Sequence, residues 1–225
     1  MISSLKSFIK NILTSETILP IFWSIYASSQ NKNIENKLLK KYSEKLEIDK
    51  SFIEFGFHVF EYNCVGLTKL NYKGLLIDAD TKNFKFSNLI FKKLKLNTKA
   101  ESNWIKRNSI NSILEFVKNN NDKLGILSVD IDGNDYWILQ EIYSLVKPEI
   151  IITEYNASFL DKSISVPYDD NFERHAFHES GFYHGASINA FNKLLSKDYF
   201  LIENIGGNNL IFLRKDKLTQ DINIL

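Results

Sequence analysis

The hydrophobic pattern of the chain changes its period near residue 50. Before that point it is helical. "SLKSFIKNIL" (4–13) places Leu5, Phe8, Ile9 and Ile12 on one face, and "NIENKLLKKYSEKL" (33–46) repeats the spacing. Beyond it, short apolar runs alternate with amphipathic stretches. The runs are "SFIEF" (51–55), "GLLID" (74–78), "LGILSVDI" (124–131) and "PEIIITEY" (148–155), with a weaker strand near "LKLNTKA" (94–100). Helical patterns over 59–70, 82–93, 109–119 and 133–146 separate them. Near-continuous Ile, Leu and Val runs are expected of parallel strands covered on both faces. A further helix, "SINAFNKLLSK", begins at Ser187, and "YFLIENIGGNNLIFLRK" then reads as two strands around a Gly-Gly-Asn-Asn turn.

This alternation predicts an α/β protein: a mostly parallel sheet between helical layers, closed by an antiparallel C-terminal hairpin. Residues 1–49 form a predicted N-terminal helical extension, and 50–225 a Rossmann-like domain. The segment 157–186 is the one long connection, and loops of that length in a compact domain are commonly functional. It is the predicted lid.

Composition narrows the class. At 225 residues the chain suits one sizeable α/β domain. A net charge of +1 provides no field for nucleic acid or an anionic membrane. The single cysteine, Cys64, excludes an internal disulfide and points to a reducing, cytoplasmic setting. "ILPIFWSIYASS" (18–29) is too short to span a bilayer and lacks the pattern of a secretory leader. It reads as a packing segment, with an oligomer interface or membrane-surface contact as the alternative.

Candidate chemistry sits at the strand ends. Open parallel sheets bind ligands beyond their carboxyl edge. Here the first strand is followed by Gly56 and His58, the second ends in Asp78, the fourth in Asp130 and Asp132, and the fifth in Glu154, Tyr155 and Asn156. Any one of these could merely cap the next helix. Four tips together point to one crevice. Asp78 stands about 20 residues beyond the first loop, the spacing of an acid that binds ribose hydroxyls. That loop, "EFGFHVFEYNC" (54–64), is not GxGxxG, and His58, Val59 and Phe60 predict a narrowed or reshaped nucleotide site. His175, His178 and His184 all fall in the lid and, with His58, are expected to converge. His184 is the first candidate general base, with a metal-dependent role for the histidine loop as an alternative. Trp23, Trp104 and Trp137 read as packing aromatics, and Cys64 as buried filler.

"LSVDIDGNDYW", "IITEYNASF", "VPYDDNF" and "GAS", with "FIEFG" and "GLLIDAD", resemble class I S-adenosylmethionine-dependent methyltransferases, and most closely the FkbM-like group. The resemblance covers about residues 50–215 and implies a seven-stranded Rossmann-like sheet with its last strand reversed. It implies cofactor contacts from Glu54, Gly56, His58, Asn63, Asp78, Ser102, Asn103 and Asp130, with Asp130 facing the reacting centre. The family is often linked to surface-polysaccharide or secondary-metabolite tailoring, so the implied acceptor is small and sugar-derived, a carbohydrate or nucleotide-sugar. Some class I O-methyltransferases hold a divalent cation at the tips of strands four and five. Asp130, Glu154 and Asn156 match in position, and oxygen ligands would suit Mg²⁺ or Mn²⁺. A non-catalytic partner subunit that retains only the fold is the rival reading.

Overall fold

The computed structural model describes residues 18–29, 33–107 and 110–225. The predicted helix over 4–13 lies outside the described residues. Two helices lead in, α1 (Ile18–Ser29) and α2 (Ile34–Lys45). Seven strands follow: β1 (Ser51–Phe55), β2 (Lys73–Asp78), β3 (Thr98–Ser102), β4 (Ile126–Val129), β5 (Ile150–Glu154), β6 (Tyr199–Ile205) and β7 (Asn209–Arg214). The intervening helices are α3 (Val65–Lys69), α4 (Thr81–Leu94), α5 (Asn111–Lys118), α6 (Asp135–Leu145), α7 (Arg174–Phe177) and α8 (Ile188–Leu195).

The strands form one sheet in the order β3-β2-β1-β4-β5-β7-β6. β1 pairs in parallel with β2 and β4, and β7 runs antiparallel between β5 and β6. The predicted Rossmann-like, mostly parallel sheet with a C-terminal antiparallel hairpin is therefore the observed one. Chain order reverses between β1 and β4, which opens a crevice at their carboxyl ends.

Side-chain alternation sorts the core into two layers. Phe52, Leu76, Ile126 and Ile152 face α1–α4, whereas Ile53, Leu75, Leu127 and Ile151 face α5, α6 and α8. α1 and α2 belong to the first layer. The Trp23 ring meets Phe91 edge-on with centroids 5.8 Å apart, and its indole N–H donates to the Val59 carbonyl at 2.9 Å. α1 also leaves Ile21, Phe22 and Ile25 exposed. Among the described residues, no helix is long and apolar enough to cross a membrane.

Two elements differ from expectation. β3 begins at Thr98, later than the predicted run. It is an edge strand with alternating burial, so its apolar signal is thin. The helix expected over 59–70 begins only at Val65, because 57–64 is tied down as a loop. Asn83 holds that loop from α4: its Oδ1 accepts the Val59 N–H at 2.7 Å, and its amide donates to the Phe57 carbonyl at 2.5 Å.

Candidate active site

The crevice is a pocket of about 430 Å³. Its walls include Gly56, His58, Asp78, Asn103, Trp104, Asp130 and Phe172, so β1, β2, β3 and β4 all contribute at their carboxyl ends. Volumes of roughly 300–1,000 Å³ are usual for small-molecule sites.

The bulky loop does not fill it. Val59 is buried in the first core layer, and Phe60 packs edge-on against Tyr26 with centroids 5.5 Å apart. The narrowing predicted from His58, Val59 and Phe60 is thus corrected for the last two. Of the three, only His58 lines the pocket, and it is exposed. Beneath the loop lies Glu54, wholly buried, whose two oxygens accept the N–H groups of Asn63 at 2.7 Å and Cys64 at 2.8 Å. The Asn63 amide in turn donates to Ser128 Oγ at 3.2 Å. Glu54 and Asn63 thus shape the loop from below and do not line the pocket. Burial raises the Cys64 thiol well above its ordinary range, in keeping with inert packing.

Gly56 has φ +71°, and a Cβ there would sit 1.5 Å from the carbonyl oxygen of Asp130. The close approach expected of this glycine is therefore made to β4, alongside its place in the pocket wall. Asp78 caps the turn after β2, accepting the Asp80 N–H at 2.7 Å. Burial raises its carboxyl above the usual range. Asn103 donates its N–H to the Asp78 carbonyl at 2.9 Å, and the Ser102 hydroxyl donates to Ala79 O at 3.3 Å. Ser102 is exposed and outside the pocket wall.

The β4 and β5 tips carry the strongest electrostatics. One carboxylate oxygen each from Asp130, Asp135 and Glu154 lie within 4.8 Å of one another. Asp135 was not among the candidate site residues. Both its oxygens accept N–H groups of the β4 loop, Ile131 and Gly133, each at 2.8 Å. Burial still raises it to about 6. Burial and then the charge of Glu154 raise Asp130 well above the carboxylate range. Glu154 reaches about 8, mainly through burial and then Asp135 and Asp132, with Arg174 opposing.

The lid histidines do not converge. His175 and His178 are exposed on and beside α7, away from the pocket wall, and His178 Nδ1 lies 2.7 Å from Ser180 Oγ. Only His184 turns inward. It is buried outside the pocket wall, with Nδ1 3.5 Å from Glu154 Oε2. Neither atom has a hydrogen bond of normal geometry. Burial, aided by Arg174, lowers His184 to about 4, so the imidazole is neutral.

The cation expected at Asp130, Glu154 and Asn156 does not fit these residues. The Asn156 amide donates to the carbonyls of Phe182 and His184, at 2.7 and 2.9 Å, while its oxygen accepts from Ser158. Asp135 is equally committed. Beside Glu154 stands a guanidinium, with Arg174 Nη1 3.6 Å from Oε1.

The lid is anchored by backbone contacts that sequence does not reveal. Trp104 and Trp137 donate their indole N–H groups to Asp170 O and Val166 O, at 2.7 and 2.8 Å. Asn134 Nδ2 donates to Asp169 O at 2.7 Å. Phe172 lies on Gly133, stacked at 4.7 Å on Phe177. Trp104, read as a packing aromatic, is thus a pocket wall, and Phe172 is another.

Glu54 supports a pH prediction. Burial raises it from 4.5 to about 7. An acid raised on folding favours the fold below its unfolded value and loses that contribution as pH climbs through the folded one. Roughly 3 kcal/mol should go between pH 4.5 and 8. Urea unfolding of the wild type and Glu54→Gln at both pH values measures the difference in slope. Parallel profiles would refute the assignment.

The architecture defines a Rossmann-like α/β fold, and several solved methyltransferase structures share it. An O-methyltransferase from Bacillus cereus in complex with S-adenosylhomocysteine superposes with TM-score 0.52 at 12% identity, over 94% of this chain and 97% of that one. A Staphylococcus aureus protein, described only as a candidate caffeoyl-CoA O-methyltransferase, gives 0.53 at 14%, over 94% and 98%. The N-terminal domain of EvdMO1 with S-adenosylhomocysteine bound gives 0.50 at 8%, over 81% of each chain. No protein-family model and no curated protein matches the sequence.

Proposed function

We propose that the protein is a cytoplasmic S-adenosylmethionine-dependent methyltransferase acting on an oxygen or nitrogen of a small, sugar-derived acceptor. The observation that carries this reading is the open pocket of about 430 Å³ at the switch between β1 and β4, with Asp78 at the β2 tip and Asp130 opposite. The bound cofactors of two of the solved structures with this fold support it. The acceptor class rests on the FkbM-like motifs, and the cytoplasmic setting on the lone buried cysteine.

When bound, the cofactor supplies a methyl group on a positive sulfonium. Asp78 would accept hydrogen bonds from the ribose hydroxyls, and Asn103 and Trp104 would flank the base. Phe172 and the lid exclude water, strengthening every charge interaction inside. Asp130 receives the proton that the acceptor loses as its oxygen or nitrogen attacks. His184 stands behind Glu154, outside the pocket wall, and takes no direct part in the proton transfer.

Calorimetric titration with S-adenosylhomocysteine tests the reading. The wild type is expected to bind, and Asp78→Ala to weaken binding about 10- to 100-fold through loss of charged hydrogen bonds. No heat at millimolar ligand would favour the non-catalytic alternative.

A further inference from the structure

Four carboxylates crowd the β4 and β5 tips: Asp130, Asp132, Asp135 and Glu154. Like charges at such distances oppose one another unless a proton or a cation intervenes. Among the described residues, the permanently charged cation in ion-pair range of this group is Arg174. It comes from α7 of the lid. Its Nη1 lies 2.5 Å from Asp132 Oδ1 and 3.6 Å from Glu154 Oε1, and its Nε donates to the Gly181 carbonyl at 2.7 Å.

A second observation concerns what the cluster lacks. Glu154 Oε2 and His184 Nδ1 are buried without hydrogen-bond partners, aimed at one another beside the same carboxylates. Buried polar atoms are rarely left so. The donor set of a divalent-cation site is thus nearly present, yet Asp135 and Asn156 are committed elsewhere and a guanidinium stands against Glu154. An arginine fork stays charged at all working pH and bridges carboxylates on adjacent elements.

The geometry points to Arg174 as a built-in cation, which bridges the β4 and β5 tips, takes the place of a divalent ion there, and ties the charge balance of the acid cluster to the seated lid. Asp132 and Glu154 are then paired with a fixed positive charge only when α7 is docked. Because Arg174 reaches in from the lid, its withdrawal would strip the cluster of its fixed positive charge and leave room for a metal. The claim concerns the acid cluster itself and holds whether or not the pocket takes S-adenosylmethionine.

The test is Mn²⁺ binding to the full-length, chelator-treated protein without cofactor, read from the electron paramagnetic resonance signal of free Mn²⁺. The wild type is expected to show no site at Mn²⁺ up to about 1 mM, the weak end of oxygen-ligand affinities. Arg174→Ala should gain one equivalent, at least about tenfold tighter, once the repelling charge is gone. Arg174→Lys should behave as the wild type, and Arg174→Ala combined with Glu154→Gln should lose the gained site. Circular dichroism and thermal unfolding report whether each variant is folded, and Arg174→Gln substitutes should the alanine variant fail. A wild-type site abolished by Glu154→Gln would overturn the inference. So would a folded Arg174→Ala or Arg174→Gln protein that gains no Mn²⁺.

Discussion

Gly56→Ala is expected to destabilise the protein by about 4 kcal/mol or more, enough to leave little folded chain at 37 °C. Two effects add. An L-residue at φ +71° is strained by roughly 1–2 kcal/mol. The new methyl would also lie 1.5 Å from Asp130 O and 2.6 Å from its carbonyl carbon. Those atoms are backbone in the middle of the sheet and cannot rotate away. Relief requires parting β1 from β4, where Asp130 N–H donates to Phe55 O at 3.1 Å, and would disturb the Gly56 N–H bond to Ile77 O of β2, also 3.1 Å. Gly185→Ala supplies the control. Its φ is also positive, at +61°, but nothing lies within 4 Å of the added carbon. It should cost about 1–2 kcal/mol from backbone strain alone. Chemical denaturation of the two variants separates strain from collision, and equal losses would show that the close approach is not what Gly56 provides.

The same contrast explains what could be read in advance. β1, β2, β4 and β5 announce themselves because both faces are buried, which writes uninterrupted apolar runs into the sequence. β3 is an edge strand, "TKAES", with too few apolar positions to fix its register. The 57–64 loop looks helical by period, yet Glu54 and Asn83 claim its backbone from 9 to 26 residues away. Site residues divide along the same line. Asp78 and Asp130 follow strands and are visible as tips. Arg174, Phe172 and Trp104 owe their roles to contacts between the lid and the loops after β3 and β4, which no local spacing encodes, whereas Asp135 bonds Ile131 and Gly133 nearby and looks like an ordinary acid at a helix start. The histidines show the converse. Their clustering in "FERHAFHESGFYHGAS" suggests a shared centre, but the chain turns His175 and His178 to solvent and buries His184 against Glu154.

Asp130→Asn is expected to lower methyl transfer by about 10²–10⁴-fold, the range for loss of a positioned base, while S-adenosylhomocysteine affinity changes little. Asparagine keeps the shape of the pocket wall and cannot take a proton. The pH dependence gives a sharper test. Burial raises Asp130 first and the neighbouring Glu154 charge raises it further. A base must be ionised to act, so kcat should climb as pH rises through the raised value of Asp130. Glu154→Gln removes the neighbouring carboxylate that raises Asp130 most. The carboxyl of Asp130 should then ionise at lower pH, and the rising limb of the profile should move toward acid. If His184 were instead the proton acceptor, its value of about 4 would place the limb well below neutrality. A rising limb near pH 4, unmoved by Glu154→Gln, would therefore displace Asp130 from its proposed role.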